Sequence, residues 1–233
     1  YNIFIMKDKI IKPVAYIKTD FKDKFGIPRQ SGRVPSLTGT IIFEKEFRDK
    51  NALKGLEDFT HLWILFDFSK SHQNEFSPTV RPPRLGGNKR VGVFASRSPF
   101  RPNSIGLSSV KILEIIDTEE FGTVIKVGGI DILDGSAIYD IKPYLPSSDC
   151  HLDAKGGFAD EFNDYHLQVV IPDSISKTFE KAFISTVIDL IGEDPRPSYQ
   201  TDENRVYKMN FSGFDVSFKV KDGTAYIISI EKI

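Results

Sequence analysis

Hydrophobic positions along the first two-thirds of the chain recur at short, strand-like spacing. The segments "PVAYIK", "TGTIIF", "HLWILFDF", "VGVFAS", "SSVKILEII", "TVIKVGGI" and "AIYDIK" are rich in β-branched and aromatic residues. Gly, Pro, Asn or Asp separates them, which is the pattern of strands joined by turns. The one helical reading in this region is "EFRDKNALKGL", a short segment closing at Gly55. Many short strands with few helices predict a barrel or closed sheet. Repeated βαβ units are missing, so a doubly wound parallel sheet is not expected.

The pattern changes near residue 146. "SSDCHLDAKGGFADEFNDYH" is polar and rich in Gly and Asp, and reads as a linker. The spacing then predicts a helix over "PDSISKTFEKAFISTVIDLIGEDPRP". Ile175, Phe179, Ala182, Phe183, Thr186 and Leu190 fall on one face. Asp173 or Ser174 is placed to cap its start, and Gly192 to end it with Pro195 beyond. The tail returns to alternation at Phe214, Val216, Phe218 and Val220. Asp222–Gly223 signals a hairpin before "TAYIISI". The expected architecture is a mainly β N-terminal domain over 11–150, a linker over 151–171, and a small α+β domain over 172–233. Residues 1–10 read as a tag or disordered start.

Composition adds little to this. The chain has 233 residues, 31 Lys and Arg against 32 Asp and Glu, and a formal charge of −1. Global charge therefore carries no nucleic-acid signal, and any such signal must be local. The single cysteine, Cys150, rules out an intramolecular disulfide and fits a reducing cytosol. No run approaches the length of a membrane span.

A local signal exists. Between Ser77 and Leu113 there is no acidic residue, while Arg81, Arg84, Lys89, Arg90, Arg97, Arg101 and Lys111 are basic. Arginine forks suit phosphate and carboxylate. Gly86–Gly87 offers outward N–H groups, and Pro82, Pro83, Pro99 and Pro102 stiffen the loop before anything binds. From charge alone the loop is either solvated surface or an anion site.

Two further stretches are candidates. Asp131 and Asp134 in "GGIDILDGSAIYDIKPYLP" suit ribose hydroxyls or a cation, although Asp134–Gly135 also reads as a plain turn. Gln30, Ser31 and Gly32 form a loop able to donate and accept from its backbone. Other chemistries lack support. GxGxxG, Walker A and GxSxG sequences are absent, and His61, His72, His151 and His166 lack metal spacing. His61 reads as a core or sheet-edge residue, and Trp63 as core.

Taken together, "FGIPRQSG", "GLEDFTHLWILFDF", "RPPRLGG", "VGVFASRSPFRPNSIGLS" and "DILDGSAIYDIKPYLP" resemble the TrmO family, also called TsaA-like or UPF0066. The late "EDPRPSY" resembles the C-terminal part of its bacterial members. The resemblance implies a β-barrel-like, non-Rossmann domain binding S-adenosyl-L-methionine (SAM), in a cytoplasmic homodimer. It implies methylation of N6 of threonylcarbamoyladenosine (t6A) at position 37 of threonine tRNA, giving m6t6A. Carried over by motif, the cofactor pocket draws on Gln30, Ser31, Gly32, Phe68, Ser69, Lys70, Arg97, Leu107, Ile130, Asp131, Leu133 and Asp134. The stretch after "FDF", which reads "SKSHQNEFSPT", departs from the pattern and puts Ser69 and Lys70 in doubt. Arg81, Arg84, Asn88, Arg90, Arg101 and Asn103 are expected on the tRNA side. Asp131 and Asp134 are the candidate proton acceptors, with neither assigned. The alternatives are a SAM-dependent enzyme with another RNA or small-molecule acceptor, and a non-catalytic tRNA-binding module.

Overall fold

The computed structural model of the chain describes residues 10–73, 75–86, 89–197, 199–200 and 202–233. The expected tag or disordered start lies almost wholly outside these residues, as do Gly87 and Asn88. The strand-like segments form β1 (Ala15–Thr19), β2 (Thr38–Phe43), β3 (His61–Asp67), β4 (Thr79–Val80), β5 (Val91–Gly92), β6 (Ile105–Thr118), β7 (Gly122–Gly128) and β8 (Ala137–Pro143). Six of them close into a barrel in the order β1-β2-β7-β6-β3-β8. Closure removes the exposed edges that short antiparallel strands would otherwise present. Alternation fills the interior: Ile17, Ile41, Leu62, Ile64, Val110, Ile125, Val127 and Ile138 are all buried.

Every neighbouring pair in the barrel is antiparallel. Strand direction therefore alternates around the wall. The connections leaving β1, β3 and β7 must emerge at the same mouth, and these are the segments around 20–37, 68–104 and 129–136.

Three local expectations change. "VGVFAS" is a strand only over Val91–Gly92 and then turns through Val93–Ala95. Val93 is buried while Phe94 faces solvent, and Ser96 Oγ donates to Val93 O, which holds the turn. "EFRDKNALKGL" is a series of 3-10 turns, at Lys45–Phe47, Lys50–Leu53 and Leu56–Asp58. The Asp49 carboxylate caps the second by accepting from Asn51 N. Trp63 is half-buried, its Nε1 donating to Asp149 Oδ2 at 2.8 Å. His61 is exposed at the start of β3.

Beyond the barrel lie α1 (Pro146–Asp149), β9 (Gln168–Val170), α2 (Asp173–Ser176), α3 (Lys181–Gly192), β10 (Tyr207–Phe211), β11 (Phe214–Lys221) and β12 (Thr224–Lys232). The sheet runs β10-β11-β12-β9. Its β11–β12 hairpin turns through Asp222 and Gly223, both at positive φ as the Asp-Gly pair predicts. The segment read as a linker thus ends in a strand. Gln168–Val170 pairs in parallel with β12, because Leu167 and Val169 find apolar cover against α3 and the sheet.

The single long helix predicted after residue 172 is two helices. Pro172 stands at the N-cap of α2, with no side-chain cap from Asp173 or Ser174. Thr178 Oγ1 donates to Ile175 O, competing for a helical carbonyl, and Glu180 is extended at ψ 141°. The break lets Phe179 pack on Phe214 and Phe183, each ring centroid 5.4 Å away.

Barrel and sheet share one hydrophobic cluster. Phe21, just past β1, meets Phe211 at 5.5 Å. Gly26, at φ +98°, lies where a Cβ would come within 2.5 Å of the Met209 side chain. A turn of left-handed backbone without a side chain is what lets the β1–β2 connection press onto β10. The C-terminal sheet is thereby seated against the same mouth of the barrel.

Candidate active site at one mouth of the barrel

Asp131 sits in the β7–β8 connection and is half-buried. Its Oδ1 accepts from Ser108 Oγ at 2.6 Å. Burial pushes the carboxyl up to about 6, against the opposing pull of Ser108, its own N–H, the Ser31 N–H and the Arg97 charge. Arg97 in turn donates to the Gln30 amide oxygen. Gly32 N donates to Gly129 O at 2.8 Å, and a Cβ on Gly129 would stand 3.2 Å from Gly32 Cα. Both glycines adopt positive φ. The close crossing of these two backbones sets Gln30, Ser31, Arg97, Ser108 and Asp131 together.

Asp134 belongs to a different arrangement. Its Oδ1 accepts from Thr19 N at 2.8 Å, its Oδ2 from Lys22 Nζ, and its own N–H donates to Phe21 O. Burial would raise its carboxyl, but the bonds from Lys22 and Thr19 outweigh that and hold it below its ordinary value. The turn expected at Asp134–Gly135 forms, with Ser136 N donating to Leu133 O and Gly135 at φ +74°. Both oxygens being occupied, Asp134 ties the end of β1 to the β7–β8 connection. Ile130 is core, while Leu133 is half-buried.

The segment after β3 reaches the same mouth. Phe68 N donates to Ser104 O, and the Phe68 ring meets Phe66 edge-on at 5.0 Å. Gly106 makes room for Phe66, since a Cβ there would come within 2.3 Å of the ring. Lys70 Nζ donates to Lys22 O at 3.1 Å, and Lys24 Nζ donates to Lys70 O and Ser71 Oγ. Ser69 is exposed beside them. Leu107 is 51% exposed. Its neighbour Ser108 faces Asp131, so the Leu107 side chain lies on the outer face of the wall.

The basic loop does not act as one surface. Arg84 donates to Glu193 O at 2.8 Å and covers the Tyr165 ring. Arg90 holds the short β4–β5 pair by donating to Thr79 Oγ1 and Thr79 O. Arg101 Nη1 donates to Ser96 O at 3.0 Å, and its carbonyl accepts from Ser104 N across the turn that carries exposed Asn103. Arg81 and Lys89 are exposed and have no charged partner among the described residues.

Sequence reasoning missed a group at this mouth. Asp67, the last residue of β3, is 9% exposed. His72 Nε2 lies 2.8 and 2.9 Å from its two oxygens, and Tyr139 OH donates to Oδ1 at 3.2 Å. The five-residue separation of Asp67 and His72 carries no recognised pattern, and Tyr139 comes from another strand. Among the described residues, no three His, Cys, Asp or Glu side chains are grouped to hold a metal ion. No helix there is long and apolar enough to cross a membrane.

Comparisons with known proteins agree with this fold. The chain matches the tRNA-methyltransferase O N-terminal domain over residues 16–150 and the TrmO C-terminal domain over residues 165–233. It is 36% identical over 226 residues to the tRNA (adenine(37)-N6)-methyltransferase of Escherichia coli K12, covering 94% of this chain and 96% of that protein. The Eikenella corrodens protein of the same description is 44% identical over 173 residues, covering 74% of this chain and 97% of that one. A crystal structure of TrmO from P. aeruginosa superposes with a TM-score of 0.77 at 28% identity, covering 99% and 100% of the two chains.

Proposed function

Since the chain belongs to the TrmO family of SAM-dependent tRNA methyltransferases, we propose that its substrate is t6A at position 37 of threonine tRNA and its product m6t6A. What carries this reading is the gathering of Gln30, Ser31, Arg97 and Asp131 at the mouth bordered by the acid-free loop. One cluster offers a carboxylate, a guanidinium and an amide; beside it lies a source of anion-binding arginines.

The donor set suits SAM. Asp131 fits ribose hydroxyls or an ammonium, and Arg97 and Gln30 fit a carboxylate; Leu107, expected in the pocket, lies on the face of the wall opposite Ser108. Ser31, Gly32, Phe68, Ser69, Lys70, Ile130 and Leu133 complete the proposed pocket, with Asp134 holding its floor. When bound, SAM supplies an electrophilic methyl on a sulfonium whose leaving group is a neutral thioether. The chain's main task is then to hold the acceptor nitrogen in line and close to that carbon, which is worth about 7–11 kcal/mol.

The acceptor N6 of t6A is carbamoylated, and its free carboxylate distinguishes it from plain adenosine. An arginine left unpaired by plain adenosine would reject it. Arg81 and Arg101, with Asn88 and Asn103, are the residues we place on that carboxylate and on the adjoining phosphates. Arg84 and Arg90 are held by protein groups but keep further N–H donors. The acceptor base is reachable because anticodon-loop bases can be splayed out of the stack. The exposed Leu107, Phe94 and Phe100 favour a second copy covering them, as a homodimer, and a tRNA substrate is in keeping with a cytoplasmic enzyme.

The test is methyl transfer from labelled SAM to threonine tRNA with and without the threonylcarbamoyl group. The expected result is one added methyl on t6A and none on plain adenosine. Methylation elsewhere would make the acceptor wrong, and absence of SAM binding by calorimetry would leave only a tRNA-binding module.

A further inference from the structure

Carbamoylation delocalises the N6 lone pair, so the nitrogen becomes a good nucleophile only as its proton departs. Asp134 has both oxygens committed, and Asp131 lies with the groups placed on the cofactor. The remaining acid–base cluster at this mouth is the Asp67–His72–Tyr139 group.

Its geometry is that of a positioned base. Asp67 is buried except for its contact with the imidazole, and both its oxygens lie within hydrogen-bond reach of His72 Nε2. A carboxylate accepts only, so Nε2 carries a proton, and in the neutral ring Nδ1 is then the nitrogen with the lone pair. Nδ1 has no partner among the described residues, and the side chain is 62% exposed. Tyr139 fixes the carboxylate from β8 by donating to Oδ1. Burial, then the Asp67 charge and hydrogen bond, hold the Tyr139 hydroxyl above its ordinary pKa, so it stays protonated as a donor. Of the charged groups nearby, the Lys24 ammonium donates to Ser71 Oγ, next to His72, while the Lys70 ammonium donates to Lys22 O.

The cluster also adjoins the Phe68–Lys70 part of the proposed cofactor pocket, from the outer face of the wall. Asp67 pairs with Ile105 and Leu65 with Leu107. Alternation puts Leu65, Asp67, Ile105 and Leu107 on one face of the wall. Phe68 to Lys70, placed in the pocket by motif, lie between Asp67 and His72 in the chain.

We propose that His72 is the proton acceptor of the methyl transfer, with Asp67 and Tyr139 as positioning residues; this rests on the reading of the mouth as the methylation site. The N6 proton passes to Nδ1 as the N6 electron pair forms the bond to the methyl carbon. The former carbon–sulfur pair stays with sulfur as the neutral thioether. The imidazolium then returns its proton to water.

Two measurements test this. In the full chain, nitrogen-15 NMR of labelled histidine should find the neutral form of His72 as the Nε2–H tautomer, and Asp67→Asn should disturb that preference. A ring protonated on Nδ1 instead would overturn the assignment. Single-turnover methylation at saturating SAM and tRNA should fall by about 10²-fold or more in His72→Ala and His72→Gln. The rate should lose its fall at acidic pH, and added imidazole should restore part of it in His72→Ala. SAM and tRNA affinities should stay unchanged. Variants that methylate at the wild-type rate and keep the acid limb overturn the role of His72 alone. A wild-type chain that does not methylate t6A overturns the reading of the site, and this inference with it.

Discussion

The guanidinium of Arg84 lies over the ring of Tyr165, its carbon 4.4 Å from the ring centroid, while Nη2 donates to Glu193 O. An arginine from the acid-free loop thus clasps the C-terminal unit. Tyr165 is itself bound to Asp194, whose carboxylate holds Arg196. Truncating Arg84 removes a cation–π interaction and one charge-assisted hydrogen bond, together about 2 kcal/mol. Arg84→Ala should therefore lower the midpoint of thermal unfolding by roughly 5 °C for a chain of this size. Unchanged unfolding in Arg84→Ala would show that the clasp is not formed in solution.

Behind this clasp lies a more buried pair. Arg33 Nε reaches Glu193 Oε2 at 2.8 Å, and the glutamate side chain is 8% exposed. Its other oxygen makes no hydrogen bond; His166 Nδ1 stands 3.1 Å from it and pairs only when the ring is charged. Arg33→Ala leaves the carboxylate buried and short of a partner, at a cost of about 3 kcal/mol. Glu193→Gln in the same chain should recover much of that loss. Denaturant titration of the single and double variants decides it: equal losses in both would mean that the buried charge is not the cause.

The sequence made the barrel legible because its strands obey alternation with turn residues between them. It also made the final hairpin legible through Asp222–Gly223. It did not show where the long helix would break, since Thr178 and Phe179 fit a helical face and are diverted by a carbonyl bond and by aromatic packing. At the site, Asp131 and Asp134 look equivalent in sequence. Their difference arises from Thr19 and Lys22, residues more than a hundred positions away. The arginines of the basic loop were visible as charge, but the partners that divide their roles lie in other segments. The Asp67–His72–Tyr139 group needed the β3–β8 pairing to appear at all.

Asp131 should make stability depend on pH. Its folded-state value is raised from 3.8 to about 6. The native chain therefore binds this proton more tightly than the unfolded one. The associated stability is full below pH 3.8 and is lost as pH rises through about 6. A shift of this size is worth about 3 kcal/mol as an order of magnitude. Asp131→Asn removes that titration, so the stability difference between variant and wild type should move in favour of the variant by that amount from about pH 4 to about pH 7. Chemical denaturation at the two pH values measures it, and parallel curves would mean that the carboxyl is not held in a desolvated site. The same variant should lose SAM affinity by calorimetry, since Asp131 is placed on the cofactor.

Arg81 and Lys89 offer the cleanest probe of tRNA binding, because neither is committed to a charged partner among the described residues. Arg81→Ala and Lys89→Ala should leave folding and SAM affinity intact. Where the wild-type side chain meets a phosphate, its truncation should weaken tRNA binding and reduce the slope of log affinity against log salt by roughly one. If Arg81 instead recognises the t6A carboxylate, its removal should weaken modified tRNA selectively and leave binding to unmodified tRNA unchanged. Titrations of both tRNAs at several salt concentrations separate these outcomes. Equal affinity and an unchanged slope in both variants would remove the exposed part of the loop from the tRNA interface.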